Sequence, residues 1–315
     1  MYEPGRLLPH ADAFVRWLRE NHIPHVFLSN TGAKNSSAVQ TKFATPPYAL
    51  SGEAVVDLAH IHTAAEAQVD YMLDHVPHHA KVLVLSGGQG QWRHDLQTRG
   101  GERGAARVAT WEVRTELSER EAKRWAACAA CTRNSEKLVY VAFFHDGGLG
   151  EASPAGAADG AVSVDAVSGR PGFADWGFEI IKVAGFLLSH GAQFVYTADD
   201  AYNPSVDTEY PGLVWPLPGP GMFATMMKAL MYPHNRHAVA CPGKGGKAGG
   251  VYMMEKAREM LMAQGHTGER SQIMMVGDRY GPTQPNTRDR AHITSQRTPS
   301  PHPAYAVSAP SMQAC

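Results

Sequence analysis

The feature of the sequence that most restricts its fold is a series of short apolar runs, each followed at once by glycine and polar residues. Runs of this length suit buried strands, and they alternate with segments of helical periodicity. The predicted strands are 26–28, 81–85, 107–113, 138–144, 193–196, 237–240 and 271–276, and the predicted helices are 9–21, 51–76, 118–131, 176–189, 222–231 and 250–264. This alternation predicts an α/β protein with a largely parallel sheet.

The first helix has an amphipathic pattern that predicts which of its faces is buried. Its charged residues Arg16, Arg19 and Glu20 fall on one side. The opposite face, which we expect to pack on the core, consists of Ala13, Phe14, Trp17 and Leu18.

Three of the predicted strands lead to residues whose side chains can bind a phosphate group or a metal ion. Strand 26–28 is followed by Ser29, strand 237–240 leads to Lys244, and strand 271–276 leads to Asp278. In open α/β sheets the ligand crevice lies at the carboxyl ends of the strands. We therefore expect neighbouring parallel strands to gather this hydroxyl, amine and carboxylate at one rim, as a phosphate and metal site.

Composition excludes several classes of partner and predicts a location. A net charge of −1, with 16 histidines, gives no reason to expect a nucleic-acid or anionic-membrane partner. No apolar run reaches the roughly 18 to 20 residues of a membrane span. The sequence starts without signal-peptide character, and its 4 cysteines do not form a disulfide framework. We expect a cytoplasmic protein.

Five stretches, in order along the chain, resemble motifs of haloacid dehalogenase-like phosphatases. The branch is that of the 4-nitrophenylphosphatases and phosphoglycolate phosphatases, which carry a large α/β cap. The matching stretches are 27–34, 197–200, 219–221, 243–246 and 275–279. Each stretch alone is a weak signal, whereas five in this order and at these distances are fairly specific.

The resemblance implies a doubly wound, Rossmann-like core that is interrupted by an inserted cap. The core would comprise residues 1–50 and 216–280, and it would lack the family's first strand and its C-terminal strand. The cap would comprise residues 51–215, and a homodimer through the cap is one assembly that the resemblance allows. Residues 281–315 are rich in Pro, Ser, Thr, Gln and His, which predicts a disordered tail.

The reaction implied by the resemblance is hydrolysis of small phosphate monoesters through an aspartyl-phosphate, with Mg²⁺. Ser29 and Lys244 would act on the transferring phosphoryl group, and Asp278 would bind the metal through a hard oxygen. The predicted substrate-binding residues are Asn30, Thr31, Asp200, Gly219 and Gly221. Lys247 remains an alternative to Lys244.

Two departures from the family pattern bear on activity. No Asp-x-Asp, the motif that supplies the family nucleophile, occurs in the sequence, and residues 281–284 contain no acid where the family has a Thr-Asp pair. We therefore expect the chain as written to have little phosphatase activity. The alternative is a catalytically inactive relative that keeps the phosphate pocket for binding or regulation.

Two weaker patterns point to other functions. Residues 87–90 are glycine-rich and follow a strand, as in a dinucleotide-binding oxidoreductase, but Arg93 replaces the third glycine of that fingerprint. Cys128 and Cys131 form an isolated Cys-x-x-Cys, whereas a structural zinc site needs four ligands.

Overall fold

The structure is a computed structural model, and it describes residues 2–3, 6–32, 34–46, 48–50, 56–86, 91–130, 138–144, 178–206, 214–231, 239–243 and 250–276. The chain divides into two compact units, residues 1–267 and residues 268–315. Within the described residues of the first unit the helices are α1 (Ala11–Glu20), α2 (Ser36–Ala44), α3 (Ala64–His75), α4 (Gln91–Thr98), α5 (Gly101–Val108), α6 (Glu119–Ala130), α7 (Phe178–Ser189), α8 (Pro220–Leu230) and α9 (Gly250–Ala263).

The strands of the same unit are β1 (Tyr2–Glu3), β2 (Arg6–Leu7), β3 (Phe27–Ser29), β4 (Ile61–Thr63), β5 (Lys81–Leu85), β6 (Glu112–Arg114), β7 (Val139–Phe143), β8 (Gln193–Tyr196), β9 (Tyr202–Val206), β10 (Val214–Pro218) and β11 (Val239–Ala240). Two pairs are antiparallel, β1 with β2 and β9 with β10. In the described part of the chain, no helix is both long enough and apolar enough to span a membrane.

A five-stranded parallel sheet organises the first unit. Its strand order is β11-β8-β7-β5-β6, and every neighbouring pair is parallel. Parallel neighbours require crossover connections, which the helices between these strands supply. The alternation of strands and helices in the sequence therefore produces the expected parallel sheet.

The two faces of this sheet are both covered, because successive side chains of a strand point to opposite faces. On β5, Leu83 and Leu85 pack into one apolar cluster with side chains of α6, α7 and α8. Val82 and Val84 pack into a second cluster with side chains of α3 and α4. Helices thus lie on both faces of a parallel sheet, and the predicted doubly wound α/β class is confirmed.

A smaller parallel sheet consists of β3 and β4. Leu28 is opposite His62, and Ser29 is opposite Thr63. A third apolar cluster, including Val15 of α1 and Phe43 of α2, packs around this pair of strands. Since β3 and β11 belong to different sheets, the prediction that the strands before Ser29 and Lys244 are neighbours is wrong.

Two of the predicted helices differ from the structure. Among the described residues 56–76, Leu58–His60 is a 3-10 turn, residues 61–63 form β4, and the α-helix is Ala64–His75, because Thr63 caps the helix and ends the strand. In α1, the buried residues are Ala11, Val15 and Leu18. Phe14 and Trp17 remain 41% and 49% exposed, so the predicted apolar face is wrong at these positions.

The described part of the second unit corrects another prediction. Residues 271–276 were expected to form a buried strand. Instead, Arg270–Gln272 is a 3-10 turn, and Met274 and Val276 are 78% and 72% exposed. An apolar run becomes a strand only when another strand pairs with it, and no strand forms in this described segment.

The division into core and cap stays a prediction. In the five-stranded sheet, β11 comes from the predicted core and pairs with β8 from the predicted cap. The predicted loop 151–172 and the predicted disordered tail 281–315 lie outside the described residues.

Candidate functional site

The loop after β3 is anchored to the start of α3. The Thr31 N–H donates to Ser29 Oγ at 3.4 Å, which turns the chain at the strand end. The Thr31 carbonyl accepts from the N–H of Ala65 at 3.2 Å. Ala65 lies in the first turn of α3, where backbone N–H groups have no partner within the helix. The 29–31 loop therefore satisfies one of these groups and takes its position from α3.

A buried carboxylate fixes the other end of this loop. Glu66, 2% exposed, accepts the N–H of Ser36 at 3.0 Å and the N–H of Thr63 at 3.1 Å. Its own N–H donates to Thr63 Oγ1, which completes a capping box at the start of α3. Ser36 is the first residue of α2, and Asn35 Oδ1 caps that helix through the N–H of Ala38 at 3.0 Å. Glu66 thus ties the starts of α2 and α3 together.

Arg99 neutralises this carboxylate. Its Nη1 lies 2.8 Å from Glu66 Oε1, and its Nε and Nη2 donate to the two oxygens of Asp70 at 2.9 and 2.8 Å. The sequence analysis missed Glu66 and Arg99. The spacing Thr63-x-x-Glu66 before an apolar helix was the signal that could have found the first of them.

The loop after β8 meets the loop after β3. The side-chain Nδ2 of Asn30 donates to Oδ2 of Asp200. The backbone carbonyl of Asp200 accepts the N–H of Gly221 at 2.8 Å, at the start of α8. Asn30 Oδ1 is buried and has no hydrogen-bond partner among the described residues. A buried acceptor without a hydrogen-bond donor costs free energy, so this oxygen is a candidate contact for a ligand.

Two glycines permit close approach of backbone at this junction. A Cβ at Gly221 would lie 2.3 Å from the carbonyl oxygen of Asp199. A Cβ at Gly243 would lie 2.1 Å from the carbonyl oxygen of Thr197. Only glycine fits at either position without a shift of the backbone. Gly219, the residue before α8, donates its N–H to the carbonyl of Ala201 at 2.9 Å.

These contacts form a closed ring, which we call the candidate site. Thr31 contacts the first turn of α3, and a Cβ at Gly243 would lie 2.9 Å from the Cβ of Ala64 in that turn. Gly243 donates its N–H to the carbonyl of Thr197 at 3.1 Å. The loop after Thr197 returns through Asp200 to Asn30. The ring therefore brings together the predicted residues Asn30, Thr31, Asp200, Gly219 and Gly221, with Ser29 at its edge.

A polar cluster lies behind Asp200. The Tyr196 hydroxyl donates to Oδ1 of Asp199, and Lys228 Nζ lies 3.1 Å from that hydroxyl and 3.8 Å from Asp199 Oδ1. Burial, followed by the nearby Asp199 carboxylate, raises the pKa of Cys241 to about 12. At neutral pH Cys241 is therefore a neutral thiol and does not act as a nucleophile.

Several predicted residues cannot be placed in this site. Lys244, Lys247, Asp278 and the glycine-rich stretch 87–90 lie outside the described residues. Among the residues that the structure describes, no group of three His, Cys, Asp or Glu side chains is arranged to hold a metal ion. The described oxygen donors at the site, the Asp200 carboxylate and Asn30 Oδ1, are hard ligands of the type that Mg²⁺ prefers.

Comparisons with known proteins agree with part of the predicted resemblance. The sequence model of the family Hydrolase_6, haloacid dehalogenase-like hydrolase, matches residues 1–101. The sequence has no significant match among curated proteins. The matched residues include β3, β4, α3 and the 29–31 loop of the candidate site.

Solved structures with a similar chain path were also found. A hypothetical protein from Pyrococcus horikoshii OT3 is 20% identical, covering 82% of this chain and 72% of that chain, with a TM-score of 0.48. A double mutant of the thermostable NPPase from Geobacillus stearothermophilus is 16% identical, covering 82% and 73%, with a TM-score of 0.47. NagD from E. coli K-12 is 14% identical, covering 83% and 70%, with a TM-score of 0.47.

Similarity at this level does not extend to individual residues or to activity. The family match, by contrast, rests on the sequence itself and covers one wall of the candidate site. Over residues 1–101 the sequence therefore matches the haloacid dehalogenase-like hydrolase model, the family that the order of its motifs predicted.

Proposed function

We propose that the candidate site binds the phosphoryl group of small phosphate monoesters, and that the chain is a magnesium-dependent phosphatase of the 4-nitrophenylphosphatase type, whose activity is low without the nucleophile motif. The family of residues 1–101 supports a hydrolase. The name of one similar structure, the thermostable NPPase, describes a phosphatase. The proposal extends that activity to this chain, acting on small substrates.

The observation that carries the proposal is the closed ring of contacts at the candidate site. In that ring the Asn30 side chain donates to Asp200, which is far away in sequence, and the Ser29 hydroxyl accepts from the N–H of Thr31 in the same loop as Asn30. Phosphoryl transfer depends mainly on positioning and on stabilisation of charge, so a fixed loop with polar groups is the main requirement. The unpartnered Oδ1 of Asn30 is a hydrogen-bond acceptor, so it suits a metal ion or a substrate hydroxyl and not the phosphoryl oxygens themselves.

Each predicted residue has a role in this proposal. Ser29 donates a hydrogen bond to the phosphoryl oxygens, and backbone N–H groups of the 29–31 loop assist it. Lys244 neutralises the developing negative charge. Asp200 contacts the substrate side of the pocket. Gly219 and Gly221 let the backbone approach closely, as their hydrogen bonds to the 200–201 loop suggest.

Magnesium enters the proposal through Asp278, the ligand that the resemblance implies. When bound, the ion would supply charge stabilisation at the phosphoryl group. The residues of this chain would orient the substrate and hold the 29–31 loop in place through Glu66 and Ala65.

A second candidate function is phosphate binding without turnover. It is favoured by one observation, the absence of any Asp-x-Asp from the sequence. Burial also leaves Cys241 protonated, so this thiol is not a substitute nucleophile. In this alternative the same pocket would bind a phosphorylated ligand for a regulatory purpose.

Hydrolysis and binding assays on matched serine variants would test both candidates. The purified chain is assayed for 4-nitrophenyl phosphate hydrolysis with and without Mg²⁺, and for binding of inorganic phosphate by calorimetry. Ser29→Ala is compared with Ser37→Ala, because Ser37 is exposed on α2 and outside the candidate site.

Hydrolysis that requires Mg²⁺ and falls at least about tenfold in Ser29→Ala, but not in Ser37→Ala, supports the phosphatase. Phosphate binding without hydrolysis, weakened only by Ser29→Ala, supports the binding protein. Neither hydrolysis nor phosphate binding, or equal effects of the two variants, would show that both candidates are wrong.

A further inference from the structure

A cavity of about 360 Å³ lies at the other end of α3 from the candidate site. It is lined by Leu73, Asp74, His78, Gly100, Arg103, Gly104 and Arg107. Ala65, at the candidate site, and Asp74 are nine residues apart on α3, which is about 13 Å along the helix axis. The cavity is at the small end of the range for small-molecule sites, so it suits a small ligand.

The walls of this cavity carry arginine N–H groups that have no acceptor among the described residues. Arg103 is exposed and has no ion pair or hydrogen bond among the described residues. Arg107 donates through Nη1 to the carbonyl of Leu73, but its Nε is buried without an acceptor in the described part of the chain. An unsatisfied guanidinium N–H favours an anion that can accept from it.

The acidic residue of the cavity is already compensated. Asp74 Oδ2 accepts from the Tyr252 hydroxyl at 2.5 Å and lies 3.7 Å from Lys256 Nζ. Its negative charge is therefore directed towards α9 and opposes an incoming anion only weakly. The charges of the cavity that Asp74 does not compensate are those of Arg103 and Arg107.

The start of α5 adds backbone donors to the same wall. Gly100 precedes this helix and, among the described residues, no side chain caps its first N–H groups. Gly104 lies one turn further along α5, and a Cβ added there would lie 3.5 Å from Leu73 Cδ2. Because both residues are glycines, neither fills the cavity with a side chain. Helix starts of this kind favour oxyanions because their N–H groups point outward and carry partial positive charge.

We propose that this cavity is a second anion site, which binds a small tetrahedral oxyanion such as the phosphoryl group of a small metabolite or free phosphate. Arg103 and Arg107 supply charge-assisted hydrogen bonds to the oxyanion, and the uncapped start of α5 supplies backbone donors. The site is separate from the candidate site and does not depend on the proposed phosphatase activity.

Hydrogen exchange measured by mass spectrometry on the full chain tests the proposal, because it locates binding by segment. Exchange is measured with increasing inorganic phosphate and, separately, with methylphosphonate, a non-hydrolysable organic analogue. Three chains are compared: the unchanged protein, Arg103→Ala, and the control Arg120→Ala. Arg120 is exposed on α6 and does not line the cavity.

We expect oxyanion-dependent protection of residues 100–108 in the unchanged protein and in Arg120→Ala. In Arg103→Ala the oxyanion concentration that gives half-maximal protection should rise about tenfold, because one charge-assisted hydrogen bond is lost. Tighter binding of methylphosphonate than of inorganic phosphate would identify a phosphorylated metabolite as the ligand, and the reverse would identify the free ion.

Protection confined to the 29–31 loop would overturn the second site without affecting the proposed function. Protection of residues 100–108 that is equal in the two arginine variants would also overturn it. Arg103 is exposed and unpaired within the described residues, so its replacement should leave the thermal unfolding of the chain unchanged.

Discussion

Asn30 donates a side-chain hydrogen bond to the carboxylate of Asp200, 170 residues further along the chain. This contact joins the loop after β3 to the loop after β8, and these strands belong to different sheets. The candidate site therefore depends on an interaction between separate parts of the fold, which mutation can measure directly.

A double-mutant cycle should detect the coupling of Asn30 and Asp200. We expect the free energies of unfolding of Asn30→Ala, Asp200→Ala and the double variant to give a coupling energy of about 1–3 kcal/mol, because the acceptor is charged and partly buried. Urea denaturation of these three variants and of the unchanged chain supplies the four values, and other contacts of Asp200 cancel in the cycle. A coupling energy below about 0.3 kcal/mol would mean that the two loops are not joined by this bond.

Replacing Glu66 should destabilise the chain strongly. Glu66→Gln keeps the shape of the side chain but removes the charge that faces Arg99 at 2.8 Å. We expect a loss of about 2–3 kcal/mol, less than for an isolated buried pair because Arg99 keeps Asp70 as a partner. Chemical denaturation measures this loss of unfolding free energy. Glu119→Gln, on an exposed ion pair with Lys182, is the matched control and should have no measurable effect. Equal stability of the two variants would contradict the role assigned to Glu66.

Two glycines should respond to alanine in opposite directions. Gly243→Ala places a Cβ 2.1 Å from the Thr197 carbonyl and should cost about 1–3 kcal/mol, because the backbone must shift. Gly104→Ala places a Cβ 3.5 Å from Leu73, an ordinary contact, and should stabilise α5 by about 1 kcal/mol. Thermal unfolding of both variants checks the pair. A stabilised Gly243→Ala variant would show that the loop after β11 is not packed against Thr197.

Stability should fall as the pH drops below about 6.5. Burial lowers the pKa of His62, although Asp70 and Glu66 oppose this shift. The unfolded chain therefore takes up a proton on His62 before the folded chain does. The resulting loss of stability is at most about 1.4 kcal/mol per pH unit for one proton, and it begins near the ordinary histidine pKa of 6.5.

Urea unfolding at pH 7.5 and 5.5 tests this expectation. His62→Gln should reduce the difference in unfolding free energy between the two conditions, whereas His94→Gln, at an exposed position on α4, should leave it unchanged. Burial also lowers the pKa of His60, so part of the pH dependence should persist in His62→Gln. An unchanged difference in His62→Gln would show that His62 does not take part.

Predictions from the sequence were most accurate where structure is local. The strands 81–85 and 193–196 formed as expected, and so did the helix that follows Gly250. Each has an apolar pattern that suits one element and a nearby glycine or polar residue that ends it. The same kind of pattern failed at Met274 and Val276, which are exposed, because apolar character does not provide a pairing strand.

The orientation of α1 shows a second limit. Phe14 and Trp17 are the largest apolar residues of the helix, yet Val15 is fully buried and they are half-exposed. The packed face follows Ala11, Val15 and Leu18, which are four and three residues apart. The amphipathic pattern of Ala13, Phe14, Trp17 and Leu18 therefore identified only Leu18 among the buried residues of the helix.

The sequence by itself determined the α/β alternation and the polar, glycine-containing loops at the strand ends, because both arise from interactions between near neighbours in the chain. Only the tertiary structure decided which loops meet. Pairing of β3 with β4, the ties from Glu66 to Ser36 and Arg99, and the hydrogen bond from Asn30 to Asp200 join distant residues, and their geometry depends on how the two parallel sheets pack with the helices.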